Sequence, residues 1–360
     1  MKYYLIAGEA SGDLHAGNLL KEINHLDSDA ITQGWGGDTM QAQGMKLVKH
    51  YRELAFMGFA EVIKNLPTIL RNISFAKADI LEFKPDVLIL IDYPGFNLRI
   101  ADWAHGQGIR VVYYISPQIW AWKESRVHKI IRSVDKMLVI LPFEKEFYAK
   151  YKYPVEFVGH PLLDAIAETS SHADEKILAL LPGSRKQEIK TMLPIMVQAA
   201  TRFKEYKIKI ACAPSIEKEF YTQLMGDFQV DFFTQGTHAL LRESTVALVT
   251  SGTATLETAL FNVPQVVCYK GSYISYQIAK RLVTIKYISL VNLILDKPAV
   301  KELIQGEMNV ANIQVELQNI LPGGSDRKRM LDDYSQLKQL LGQGGASARA
   351  AQIICDFLKK

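Results

Sequence analysis

A chain of 360 residues, 48% apolar and 22% charged, is long enough for two domains with sizeable cores and too apolar to be disordered. Its net charge of +4 suits a phosphorylated ligand or an anionic surface, but with no Arg- or Lys-rich arm interleaved with aromatics it argues against nucleic acid. Cys212, Cys268 and Cys355 lie far apart, two of them in strand-like runs, which disfavours a zinc cluster or a disulfide scaffold and fits a reducing compartment. No extended apolar leader precedes the first strand, and no run reaches the roughly 18 apolar residues of a spanning helix, so a cytosolic protein with room for peripheral membrane attachment is expected.

In chain order, short β-branched runs alternate with helical stretches, the pattern of parallel sheets covered by helices. Strands are expected at 3–7, 87–91, 111–115, 137–141 and 156–158, then at 177–181, 208–212, 230–233, 246–249 and 266–269. Between the two groups the polar, weakly patterned stretch Glu168 to Glu175 reads as a hinge. The expectation is an α/β protein of two Rossmann-like domains, 1–168 and 169–326, facing a central cleft lined by strand C-termini.

The first loop, Gly8-Glu-Ala-Ser-Gly-Asp13, puts Glu9 and Ser11 at a strand's carboxyl edge and Asp13 near the next helix's start. A carboxylate in the turn disfavours a dinucleotide pyrophosphate and favours hydroxyl recognition; a turn capped by Asp13 is the plainer alternative. Farther on, Phe59, Val62, Ile63, Leu66, Ile69 and Leu70 follow helical spacing, with Lys64 and Arg71 interspersed and Pro67 expected to break or kink the run. That pattern fits a buried helix or a cationic interfacial helix lying on lipid.

Ile89-Leu-Ile-Asp92-Tyr-Pro-Gly-Phe-Asn97 places an acid at the end of an apolar strand, where partial desolvation raises its pKa toward that of a general base. His160, in Gly-His-Pro, has a fixed local context that suits a structural hydrogen bond better than catalysis. In the second half, Leu181-Pro-Gly183-Ser184-Arg185 repeats the strand-to-loop logic and presents a guanidinium suited to phosphate oxygens. Thr250-Ser251-Gly252-Thr253-Ala-Thr255-Leu-Glu257 then reads as strand, small-residue turn and helix start, a phosphate-binding arrangement without the Lys of a Walker motif. Glu257, about one turn in, is placed for ribose hydroxyls rather than phosphate. This combination points to a nucleoside diphosphate carried by a sugar. No closely spaced His and carboxylate groups suggest a metal, and no nucleophile elbow suggests a serine hydrolase.

GEASGDLHAG, FMGFAEV, LIDYPGFN, YYISPQIWAWKESR, LPFEKEFY, FVGHPLLD, LPGSRKQEI, SGTATLETAL and SLVNLIL, in this order, resemble the lipid-A-disaccharide synthase family over essentially the whole chain. The resemblance implies the GT-B fold and an inverting, metal-free transfer with no cofactor. It joins UDP-2,3-diacylglucosamine to 2,3-diacylglucosamine 1-phosphate, giving the β-1,6-linked tetraacyl disaccharide 1-phosphate and UDP. It places catalysis on Asp92 and Arg185, and substrate contacts on Glu9, Ser11, Gly183, Ser184, Ser251, Gly252, Thr253, Thr255, Glu257 and Asn292. Many relatives carry a second Asp where this chain has Gly95, which leaves Asp92 the better base. The resemblance also implies a peripheral enzyme at the cytoplasmic face of the inner membrane of a Gram-negative bacterium. Its last helices, 327–360, would pack on the first domain or on a partner chain in a homodimer. A UDP-sugar epimerase of the same architecture and a noncatalytic nucleotide-sugar-binding protein are the rival readings.

Overall fold

Hydrophobic runs too short to form helices, each followed by a helix long enough to cross back, leave the chain one regular solution: parallel strands with right-handed crossovers. The computed structural model, which describes residues 1–53, 66–121, 123–166, 176–214, 216–226, 228–272, 276 and 285–359, has this arrangement twice. The hinge expected at Glu168 to Glu175 lies outside the described residues, as do Phe59, Val62, Ile63 and the side chain of Leu66.

The first unit comprises Met1–Asp164 together with Gln343–Lys360. Its sheet contains β1 (Lys2–Ala7), β2 (Ile31–Gly36), β3 (Lys46–His50), β4 (Val87–Ile91), β5 (Val111–Tyr114), β6 (Lys136–Val139) and β7 (Glu156–Phe157). The strands are all parallel, in the order β3-β2-β1-β4-β5-β6-β7. Strand β1 after Lys2, and β4 and β5 throughout, are buried runs of apolar and aromatic residues because helices cover both of their faces. Tyr4, Trp35, Leu90, Tyr113 and Tyr148 belong to the core on one side.

The second unit spans Ala165–Gly342. It holds β8 (Ile177–Leu181), β9 (Lys207–Ala211), β10 (Asp231–Phe233), β11 (Val246–Thr250), β12 (Gln265–Tyr269) and β13 (Lys301–Ile304), ordered β10-β9-β8-β11-β12-β13 and again all parallel. In each sheet the order reverses once, between β1 and β4 and between β8 and β11. A ligand is bound at such reversals because adjacent connections run to opposite faces and leave a crevice at the strand C-termini. The loops after β1, β4, β8 and β11 are the ones singled out by sequence.

The C-terminal helices divide differently from the expected 327–360 block. The helix Arg327–Leu341 belongs to the second unit, where it packs on the helix Leu290–Leu295. Only the helix Ala346–Leu358 joins the first unit, lying along the helix Ala10–Leu26. Asp164 receives this last helix: its carboxylate accepts from the N–H groups of Gly345, Ala346 (3.3 Å) and Ser347 (3.1 Å). Arg349 fastens it further by donating to the carbonyls of Val158, Gly344 and Gln343.

Pro67 marks a helix start. It stands at the second position of the helix Leu66–Phe83, where the first turn needs no proline N–H, and the run before Leu66 lies outside the described residues. Ile69 is partly buried and packs against the first core, to which Ile73, Ala76 and Ile80 belong. Leu70, by contrast, is 52% exposed.

Candidate functional site

The two reversals give two candidate sites, each built on its own sheet. In the first unit, β4 ends in a left-handed turn: Asp92 has φ 44° and Tyr93 φ 49°, conformations that cost L-residues about 1 to 2 kcal/mol each. The cause of their persistence is a buried clamp. Asn97 donates from Nδ2 to the carbonyls of Asp92 (2.9 Å) and Ile91 (3.2 Å), while the Tyr113 hydroxyl donates to the same Asp92 carbonyl. The Tyr93 ring lies where a Cβ on Gly8 would stand, about 2.4 Å from its atoms, so glycine is required for the two loops to meet. Ile115, at the end of neighbouring β5, is a third left-handed residue, with φ 67° on a β-branched side chain. Strain thus collects at the carboxyl edge of β4 and β5.

The turn leaves the Asp92 carboxylate partly buried. Burial first, then the nearby Glu9 carboxylate, pushes its pKa up to about 7, with the Tyr93 N–H pulling more weakly the other way. A group half-ionised near neutrality accepts a proton and returns it to solvent readily. Glu9 opens the helix Ala10–Leu26, and Ser11 is exposed on its first turn. Asp13 does not cap this turn: its buried carboxylate accepts from Gly37 N (2.7 Å), Thr39 N (3.0 Å) and Met40 N (3.1 Å), and so caps the helix Asp38–Ala42. His160 accepts from Leu162 N at 3.2 Å, and burial lowers its pKa to about 3, a neutral structural imidazole.

The loop after β5 is held by an acid. Glu144 is 1% exposed; its carboxylate accepts from the N–H groups of Ile140 (3.3 Å) and Leu141 (2.9 Å) and from Trp120 Nε1 (3.3 Å). Burial pushes its pKa up to about 7 despite these bonds. Trp120 stands edge-on to Phe143 at 4.8 Å and packs against the first core. Trp122 lies outside the described residues.

In the second unit, the helix Thr253–Leu260 begins after Gly252 with no side chain capping it. The hydroxyls of Ser251 and Thr255 are directed to the carbonyls of Ile288 (3.0 Å) and Gly252 (2.8 Å). Thr255 is fully buried, so its part is to shape the turn rather than to touch a ligand. Gly252 and Thr253 remain exposed, and the helix start offers backbone donors to an anion. Glu257 is held by His238, with Nε2 to Oε2 3.4 Å, a partner absent from the sequence reading.

Asn292 takes a different place from the expected ligand contact. It is 1% exposed, and its amide is committed to Val300 O (2.9 Å), Val300 N (2.9 Å) and Glu302 Oε1 (2.9 Å). Glu302 also accepts from Ile288 N and from the N–H and hydroxyl of Ser289. This network fixes the carbonyl that holds Ser251, so Asn292 acts on the turn from behind.

After β8, Gly183 has φ 105°, and a Cβ there would stand 2.6 Å from Glu188 Oε2. Ser184 and Arg185 are exposed, and Arg185 Nη1 pairs with Glu188 Oε1 at 3.2 Å. This is a surface ion pair, and such pairs contribute at most about 1 kcal/mol and yield readily to a doubly charged ligand.

Solved structures share this fold at low identity. A UDP-GlcNAc 2-epimerase from Neisseria meningitidis bound to UDP-GlcNAc matches with a TM-score of 0.69 and 12% identity, covering 99% of this chain and 100% of that one. The calicheamicin glycosyltransferase CalG4 matches with a TM-score of 0.62 and 16% identity, covering 100% and 98%. Both epimerases and glycosyltransferases thus lie within reach of the two-domain GT-B fold, and the fold alone does not choose between them. Sequence does. The lipid-A-disaccharide synthase of Myxococcus xanthus is 37% identical over 370 residues, 98% of this chain and 97% of that protein. The enzyme of the same name from Syntrophus aciditrophicus is 38% identical over 373 residues, 99% and 97% of the two chains. The family profile described as lipid-A-disaccharide synthetase matches residues 3–355, and the chain belongs to that family of glycosyltransferases, which form the disaccharide of lipid A.

Proposed function

We propose that this chain performs the family's transfer as a single inverting displacement with Asp92 as general base. The observation that carries the proposal is the Asp92 carboxylate, held in a strained turn at the strand-order reversal with its pKa pushed up to about 7. Asp92 takes the proton from the 6-hydroxyl of 2,3-diacylglucosamine 1-phosphate. The freed oxygen pair forms the bond to the anomeric carbon of UDP-2,3-diacylglucosamine as the bond to UDP breaks, inverting α to β. The open helix start at Gly252 and Thr253, together with Arg185, offsets charge on the departing diphosphate, and Glu257 binds the ribose hydroxyls.

Both substrates carry acyl chains, which supports attachment to the cytoplasmic face of the inner membrane. Among the described residues no helix is long and apolar enough to cross a membrane. The exposed Leu70, beside the apolar segment 59–66, is the membrane contact the reading requires.

The test is transfer between defined substrates, with UDP and disaccharide both quantified and each substrate also supplied alone. The expected result is equimolar UDP and disaccharide only when both are present, unaffected by EDTA. Turnover of the nucleotide sugar without acceptor would make the chain an epimerase and overturn the proposal.

A further inference from the structure

Glu257 stands on the second turn of the helix Thr253–Leu260, and the side chain that meets it comes from another element, the helix Thr237–Glu243. Equal spacings bring the two elements into register. Glu257 and Phe261, which ends its helix, lie one turn apart on one face, and His238 and Arg242 lie one turn apart on the other. Across the seam, His238 Nε2 is 3.4 Å from Glu257 Oε2, and the His238 ring lies 5.3 Å from the Phe261 ring at 49°. The Arg242 guanidinium stands over the same Phe261 ring at 5.9 Å. Phe261 is buried, so it gives the imidazole a packed wall.

The imidazole is therefore restrained from two sides. Packing on Phe261 restricts the rotation of its ring, and one ring nitrogen is committed to the carboxylate. The consequence falls on Glu257. A partly exposed glutamate has its side-chain torsions to lose before it accepts from a ligand's hydroxyls, and a partner that holds one oxygen removes part of that cost before the ligand arrives. The second oxygen is then presented from a set position.

We propose that His238 is a positioning residue for nucleotide recognition: it holds the Glu257 carboxylate in the orientation that accepts from the ribose hydroxyls of a nucleoside diphosphate, and so gives the site a preference for ribose over its deoxy forms. The inference rests on the reading of Glu257 as the ribose contact, given above.

Binding of UDP and of 2′,3′-dideoxy-UDP is measured by isothermal titration calorimetry on the full chain and on its His238→Ala, His238→Gln and Glu257→Ala variants, with melting temperature as the control for folding. His238→Ala is expected to weaken UDP about 3- to 10-fold, the worth of one hydrogen bond, and to leave 2′,3′-dideoxy-UDP within about twofold. His238→Gln, whose amide N–H donates to a carboxylate as the imidazole does, should recover most of the loss. A merely structural role would weaken both nucleotides alike. That result, or full ribose preference in a folded His238→Ala chain, would overturn the inference. Glu257→Ala separates the two claims. Preference lost in Glu257→Ala but kept in His238→Ala removes His238 and leaves the ribose contact in place, whereas preference kept in Glu257→Ala removes the ribose contact itself and the inference with it. If His238→Ala melts early, His238→Leu replaces it, since leucine still packs on Phe261 but donates no hydrogen bond.

Discussion

Asp92 is costly to the fold in two ways, through its left-handed backbone and its half-buried carboxylate. Its pKa stands above the 3.8 of an ordinary Asp, at about 7, so the folded chain holds a proton that the unfolded chain releases. That contribution to stability is complete below about pH 4, declines as pH rises, and is gone once pH passes 7. At pH 8 the ionised carboxylate is a net burden, so Asp92→Asn is expected to raise the melting temperature by roughly 2 to 6 °C. The same substitution should lower turnover by at least about 100-fold, the lower end for a lost base. In the unsubstituted enzyme, kcat should climb with pH and level off above about 7. A flat profile, or an Asn variant with full turnover, would remove Asp92 from the base role. Arg185 contrasts with it. Its exposed pair with Glu188 at 3.2 Å holds little folding energy, so Arg185→Ala should leave the melting temperature within about 1 °C while reducing kcat/KM for the donor about 10- to 100-fold. Lys186→Ala serves as the comparison and should fall less than threefold by the same assay.

Among elements, the apolar central strands were readable from sequence because burial on both faces demands unbroken runs such as Val87–Ile91. Three strands were not. β3 and β13 are sheet edges, where pairing on a single side tolerates the lysines at 46, 49 and 301. β2 carries Gly34 because a Cβ there would stand 1.9 Å from the Leu5 carbonyl oxygen, and the glycine conceals a strand from any propensity count. The candidate loops were legible for a related reason: strand followed by small-residue turn is a local signal. The supports behind them were not, since His238 beneath Glu257 and Glu302 beneath Asn292 sit on separate elements that only the folded sheet brings together. The helix Leu66–Phe83 shows how an apolar segment is divided between two uses. Ile69→Ser should lower the melting temperature by an amount equivalent to roughly 1 kcal/mol, as its partly buried side chain packs against the core. Leu70→Ser, at an exposed position, should leave melting unchanged and reduce co-sedimentation with vesicles. Vesicle binding indifferent to Leu70 would count against lipid docking by this helix.

At the scale of the whole molecule, the two sheets repeat one plan, and each reversal point bears different chemistry: a raised-pKa acid in the first unit, an uncapped helix start in the second. The last helix closes the first unit through Asp164, whose carboxylate takes three successive backbone N–H groups. Asp164→Ala should cost about 0.5 to 2 kcal/mol, the range for a lost helix cap, seen as an earlier melting transition with UDP affinity unchanged. A variant that melts like the unsubstituted protein would show that Arg349 alone secures the helix.

The return of residues 343–358 to the first sheet also sets an order of events during synthesis. A ribosome delivers the second unit as one uninterrupted stretch, free to fold as soon as it emerges. The first unit has almost all of its chain far earlier, yet it must wait for residues 346–358 before Tyr3 meets Cys355 and the helix Ala10–Leu26 gains its neighbour. The half of the enzyme that is made first, carrying its strained acid, is therefore the half that is finished last.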